Sequence, residues 1–181
     1  MLVDGKWEGP IVDQHMHLDR ENRFISAAEE FSRSGGTEIF LVHKPSFSKS
    51  LPTDLNGYRE VYRDTIKMAE SVREKTELKV NVVLGPHPVV WDIQANDIGV
   101  KASSELHISA VGLALDMIEE GEAVCLGEVG RPHYPVSEDR WTEANDLLLE
   151  IMRMASTSNS PVQLHVAVSY THLTLPTIDP V

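Results

Sequence analysis

GPIVDQHMH, residues Gly9–His17, starts as a buried strand and ends as a site. Ile11 and Val12 are β-branched and follow a Gly-Pro break, which suits a strand entering an apolar layer. Side chains alternate along a strand, so Asp13, His15 and His17 share one face, and two imidazoles two residues apart can both reach one divalent ion. Alone, a His-x-His pair is more often an incidental surface feature than a metal site. Its meaning depends on how the other strands end.

Four further apolar runs have strand length. EIFLVH (Glu38–His43) leads into Lys44, Pro45 and a Ser-rich loop, and LKVNVVLG (Leu78–Gly85) leads into PHPVVW with His87. AVCLGE (Ala123–Glu128) closes on a carboxylate, and VQLHV (Val162–Val166) contains His165. Helical patterns separate the runs. Ser26 and Glu29 are spaced as a capping box before Phe31, and Gly35-Gly36 stops that helix. Val61, Met68, Ala69 and Val72 repeat at helical spacing within Tyr58–Lys75. A segment from Ser103 carries Val111, Leu115 and Ile118 and stops at Gly121. Ser137, followed by Glu138 and Asp139, caps a helix with Trp141, Ala144, Leu148, Ile151 and Ala155 inward.

Strict interleaving of five strands with four helices predicts an α/β fold with a parallel sheet and right-handed crossovers. A doubly wound open sheet and the first part of a (β/α)8 barrel both satisfy this. The chemistry separates them, because barrel enzymes gather functional side chains at the carboxyl ends of several different strands. His15 and His17, His43 and Lys44, His87, Glu128 and His165 lie at five such ends, and no Gly-rich dinucleotide fingerprint follows any strand. The expected architecture is therefore a partial TIM barrel, about the first five β/α units. A complete barrel takes ~250 residues, and this chain has 181.

Composition narrows the partners. The formal charge of −12 opposes general attraction to nucleic-acid phosphates, so any nucleic-acid contact is expected to be local to a site. No apolar run approaches membrane length and no leader-like segment opens the chain, so no membrane partner is expected. The one cysteine, Cys125, cannot form an internal disulfide and reads as a small core residue; a cytoplasmic location is the expectation.

A carboxylate at the end of an apolar run needs a compensating charge, and for Glu128 this is either a metal or a basic neighbour such as Arg131. His165 adds a donor from another strand end, against the plainer reading of a hydrogen-bonded core histidine. Convergence of three strand ends favours metal. Arg131 and His133, in the loop after Glu128, suit pairing with a substrate phosphate or carboxylate, or else an ordinary ion pair. His87 and Lys44 are placed to overhang the site, with a rigid loop as the alternative; His43 and His107 read as structural.

The pieces IVDQHMHLD, VLGPHPVVW, CLGEVGRPHY and VQLHV, in this order, resemble the TatD-related metal-dependent hydrolases of the amidohydrolase superfamily, especially an archaeal-type predicted hydrolase group. The resemblance covers about Val3–Val166. It implies that His15 and His17 bind a first metal, that Glu128 bridges two and serves as the catalytic carboxylate, and that His165 binds the second. The ions would be two divalent cations (Zn, Mn or Mg). It further implies metal-assisted hydrolysis of a phosphodiester, with a nucleic-acid end as substrate. A small-molecule amide, lactone or phosphoester is the alternative, and a catalytically incompetent fragment of either is a third reading. The family's ligands after the sixth and eighth strands have no counterpart here, nor has its glutamate shortly after the fifth-strand histidine.

The last residues read differently. VSYTHLTLPT (Val168–Thr177) resembles the translation of a transposase sequencing adapter, and Ile178–Val181 fit the residues its index and following bases would encode. The expected division is residues 1–167 as the amino-terminal part of the barrel and 168–181 as a non-native tail. On this reading the first and fifth strands are open edges.

Overall fold

The computed structural model describes residues 2–48 and 50–166; the reading of residues 168–181 falls outside the described residues. The chain opens with a short antiparallel hairpin, β1 (Leu2–Val3) and β2 (Lys6–Trp7). Asp4 and Gly5 at its turn have φ of 48° and 76°, the positive values that an Asp-Gly type I′ turn needs. That dipeptide is a local signal the strand patterns above leave unused.

There follow β3 (Val12–Met16), α1 (Phe24–Arg33), β4 (Glu38–Val42), α2 (Leu55–Lys75), β5 (Lys79–Leu84), α3 (Pro88–Ile98), α4 (Val100–Glu119), β6 (Cys125–Gly130), α5 (Glu138–Thr157) and β7 (Val162–His165). β3 to β7 pair in parallel, in chain order, as one sheet. The order never reverses, which distinguishes the sheet from a doubly wound one. It also curls, since Gln163 Nε2 of β7 donates to the Gln14 carbonyl of β3 at 2.6 Å. The two outermost strands thus meet across a concave face, as in half of a barrel.

Packing follows the strand alternation. Ile39, Leu41, Val80, Val82 and Leu126 belong to the main core with Tyr62 and Val72 of α2, Ala114 of α4 and Ile151 of α5. Phe40, Val42, Val83 and Cys125, which alternate with them, form a smaller cluster on the opposite, concave face. Glycine is required where strands crowd beneath the site: a Cβ at Gly85 would lie 2.9 Å from the Gly127 backbone, and one at Gly127 would lie 2.6 Å from Gln163 Cβ. The outer strands leave apolar groups open, with Ile11 and Val12 beside β3, and Leu164 and Val166 beside β7, all exposed. No helix among the described residues is long and apolar enough to cross a membrane.

Several boundaries differ from the sequence pattern, each for a local reason. The Ser26–Glu29 capping box does not form: α1 begins three residues earlier than it would set, with Arg23 at the N-cap, Ser26 Oγ donates back to the Arg23 carbonyl at 3.2 Å, and Glu29 pairs with Arg33 at 3.8 Å. α2 starts at Leu55 because the Asp54 side chain accepts from Gly57 N at 2.8 Å. α3 is an additional helix. It buries Asp92 and Gln94 beside Val90, Trp91 and Ala95, so it has no apolar stripe for periodicity to detect. Its start has a different signature, Pro88 at the first turn with His87 as the cap. α5 begins after Ser137 as expected, but Leu147 rather than Leu148 is buried in its inward face.

Candidate metal centre

The site lies where the carboxyl ends of β3, β6 and β7 converge on the start of α3. Regular alternation would turn Glu128 with Leu126 toward the helices, but the β6–β7 register shifts between Leu126 and Val129. The Glu128 carboxylate points instead at the histidines: Oε2 lies 3.5 Å from His15 Nε2, 3.7 Å from His17 Nε2 and 3.7 Å from His87 Nε2. Its Oε1 contacts His165 Nδ1.

β3 is irregular as well, with a register shift between Asp13 and Met16. Asp13 does not join the cluster; its carboxylate accepts from the backbone N of His15 at 2.9 Å and so braces the turn of chain that presents His15. His15 and His17 bring their Nε2 atoms to 3.1 Å of each other.

The donor set suits a cation. His17 Nδ1 lies 3.0 Å from the Val42 carbonyl, which can only accept. Nδ1 therefore carries the proton, and Nε2 presents a lone pair to the centre. Burial lowers the His17 pKa, the Val42 bond opposing this only in part, so the ring is neutral at pH 7. Burial tends to raise the Glu128 pKa, but the His165 contact and the surrounding histidines outweigh it and hold the carboxyl at about 2. Two groups have ligand atoms within 4.8 Å of one another: His15, His17 and Glu128, and His87, Glu128 and His165.

His87 has a distinct position within the second group. Its Nδ1 accepts from Val89 N at 3.2 Å to cap α3, and burial lowers its pKa to about 4. In the neutral ring the proton must then sit on Nε2, so His87 faces Glu128 as a donor rather than with a lone pair.

The remaining residues singled out in the sequence lie around this centre. His133 Nδ1 is 2.7 Å from His165 Nε2, on the side of the ring away from Glu128. The neighbouring Tyr134 donates to Asp92 Oδ2 at 2.6 Å, and Arg140 lies 3.3 Å from Asp92 Oδ1, so α3 and α5 together grip the loop that carries His133. This grip had no sequence signal, because its members lie on three separate elements. Arg131 is turned onto α5, donating to Asn145 Oδ1 at 2.7 Å with its guanidinium over the Trp141 ring. Lys44 pairs with Asp19 at 3.0 Å, in a groove beside the site. His43 is buried against α2, its Nδ1 2.9 Å from Thr65 Oγ1, and His107 is fully buried in α4.

A parallel half-barrel with a histidine–carboxylate cluster at its strand ends is an arrangement of amidohydrolase-type hydrolases. Residues 12–175 match the TatD related DNase family, and the chain belongs to that family. It is 27% identical over 163 residues to an uncharacterized protein, MJ1127, of Methanocaldococcus jannaschii, covering 88% of this chain and 56% of that one. In three dimensions it is similar to an uncharacterized amidohydrolase from Saccharomyces cerevisiae, with a TM-score of 0.55 at 13% identity, over 88% of this chain and 49% of the other. At that identity the likeness concerns the fold. The chain spans about half the length of these relatives.

Proposed function

We propose that the chain supplies the metal-binding strands of a divalent-metal-dependent hydrolase, in which two ions bridged by Glu128 activate water for phosphodiester cleavage. One observation carries the reading: the two oxygens of a single buried carboxylate face different imidazoles, Oε2 toward His15 and His17 and Oε1 toward His165. His15 and His17 would hold one ion and His165 the other, with Glu128 within reach of both. Such ions, when bound, lower the pKa of a shared water and polarise a phosphoryl or carbonyl oxygen.

The side chains themselves contribute orientation and charge. A Glu128 pKa of about 2 keeps the carboxylate ionised across the physiological range. The Val42 carbonyl keeps the His17 lone pair aimed inward. His87 Nε2–H, beside Glu128 Oε2, is placed to donate to a substrate oxygen. Lys44, Arg131 and His133 remain candidates for substrate contact around the rim.

The family description favours DNA as substrate. The charge of −12 favours the second reading, hydrolysis of a small phosphoester, lactone or amide. The test is a zinc- or manganese-loaded protein assayed against single-stranded DNA, bis(p-nitrophenyl) phosphate, lactones and esters, with and without chelator. Metal-dependent cleavage of DNA or diester supports the first reading, and cleavage of lactones or esters alone supports the second. Turnover that survives complete chelation would overturn both. Metal binding without turnover would mark this chain as a fragment lacking residues that its longer relatives have room to supply.

A further inference from the structure

We propose that a pocket beside the metal centre, between the β4–α2 loop and the start of α3, is a subsite for one small, uncharged apolar substituent of the substrate. The inference rests on the hydrolytic reading above and narrows its substrate class to diesters of small molecules that carry an aryl or branched alkyl group.

The pocket has a volume of about 110 Å³; Leu51, Pro52, Val61 and Val90 form much of its wall, and Ser46, Ser50 and His87 also line it. His87 is shared with the centre, where its Nε2 lies 3.7 Å from Glu128 Oε2. A group in the pocket is therefore adjacent to one reacting at the ions. No Asp, Glu, Lys or Arg among the described residues lines it. Of its titratable groups, His43 and Tyr58 are neutral at pH 7, because burial holds His43 at about 3 and pushes Tyr58 to about 12.

The walls are fixed before any ligand arrives. Buried Gln94 donates to the Pro52 carbonyl at 2.5 Å and accepts from Tyr58 Oη at 3.5 Å, tying loop, α2 and α3 together. Beside His87, Phe47 stands 55% exposed, its ring 6.3 Å from that of His87 in an edge-on arrangement. An exposed aromatic at that position does nothing for the core, but it extends the apolar surface a substituent would cover.

Size and charge select the occupant. Pockets that enclose a whole ligand run from roughly 300 Å³ upward, so this one takes part of a molecule, about a phenyl ring or a branched alkyl group. The next phosphate of a polynucleotide placed here would be desolvated with no cationic partner among the described residues that line the pocket, at a cost of several kcal/mol.

The test compares phenylphosphonate with methylphosphonate on the zinc-loaded full chain by calorimetry. Burying the ring predicts at least about tenfold tighter binding of the phenyl compound. Leu51→Trp, which fills the pocket, is expected to abolish that advantage and leave methylphosphonate unchanged; Val90→Ala, which enlarges it, is expected to keep it. Equal affinities in the unaltered protein, or an advantage that survives Leu51→Trp, would overturn the subsite while leaving the metal centre standing. If neither phosphonate binds, the phosphodiester reading fails, and benzyl alcohol on the metal-free chain then decides the pocket by itself. Amide shifts confined to the surroundings of Leu51 and Val90 would support it, and their absence would overturn it.

Discussion

Glu128 Oε2 at the end of β6 lies 3.5 Å from His15 Nε2 at the end of β3, although β4 and β5 separate the two strands in the sheet. Only a curled sheet brings these ends together. The same curl joins Gln163 to Gln14 and encloses a site that no single strand defines.

Replacing Glu128 by Gln removes the charge but keeps the shape. Divalent-ion affinity is expected to fall by at least about tenfold, since a ligand matters no less than the outer partners that cost 10–100-fold when lost. Calorimetric titration with zinc is expected to show stoichiometry falling from two to one or fewer. In the unaltered protein, zinc at about 100 times its dissociation constant should add about 2.7 kcal/mol of stability, reversed by chelator. A variant with unaltered zinc binding would remove Glu128 from the centre.

His133→Ala deletes the group facing His165 Nε2. Affinity for the second ion is expected to drop about tenfold, with the first site little changed. Tyr134→Phe, which loosens the loop by losing its bond to Asp92, should reproduce part of the effect. The cobalt-substituted protein provides the readout, since its visible spectrum reports the ligand set. An unchanged spectrum and affinity in both variants would leave His133 free for a role at the substrate.

Acid is expected to destabilise the fold over two ranges. Burial holds His43 at about 3 against an ordinary 6.5, and the histidines around Glu128 hold its carboxyl at about 2 against 4.5, outweighing burial. In each case the unfolded chain takes up the proton first as pH falls, so protonation favours unfolding. The His43 contribution is complete above about 6.5 and lost toward about 3; that of Glu128 is complete above about 4.5 and lost toward about 2. Urea midpoints should fall steadily below pH 6.5 and more steeply below 4.5. Constant midpoints from pH 7 to 4 would contradict this.

His107 is fully buried, and neither ring nitrogen has a hydrogen-bond partner among the described residues. His107→Leu removes two unsatisfied polar atoms at similar volume. Stability at pH 7 is expected to rise by about 1 kcal/mol, and part of the loss below pH 6.5 should disappear, because burial holds this ring at about 3 as well. Destabilisation by the substitution would point to a bound water or another partner at the ring.

The outer strand β7 exposes Leu164, at 47%, and is followed by Val166, at 51%. An open edge with apolar side chains templates association. Leu164→Lys is expected to reduce self-association, measured by light scattering, without lowering the urea midpoint. Unchanged association would place the sticky surface elsewhere, for example at Ile11 and Val12 beside the opposite edge.

The sequence by itself determined the alternation of strands and helices and the strand ends that carry His15, His17, Glu128 and His165. Both are local properties, since apolar runs, caps and glycine stops act over a few residues. The resemblance added the metal-binding roles it implies for them. Tertiary structure decided what local patterns cannot encode. Register shifts in β3 and β6 set which way Asp13 and Glu128 point, against simple alternation. α3 escaped periodicity because its buried face holds Asp92 and Gln94, whose partners Tyr134, Arg140 and Pro52 lie on other elements. His133 and His165 were each candidates in the sequence, but their pairing was not legible, because it exists only once β6 and β7 lie side by side.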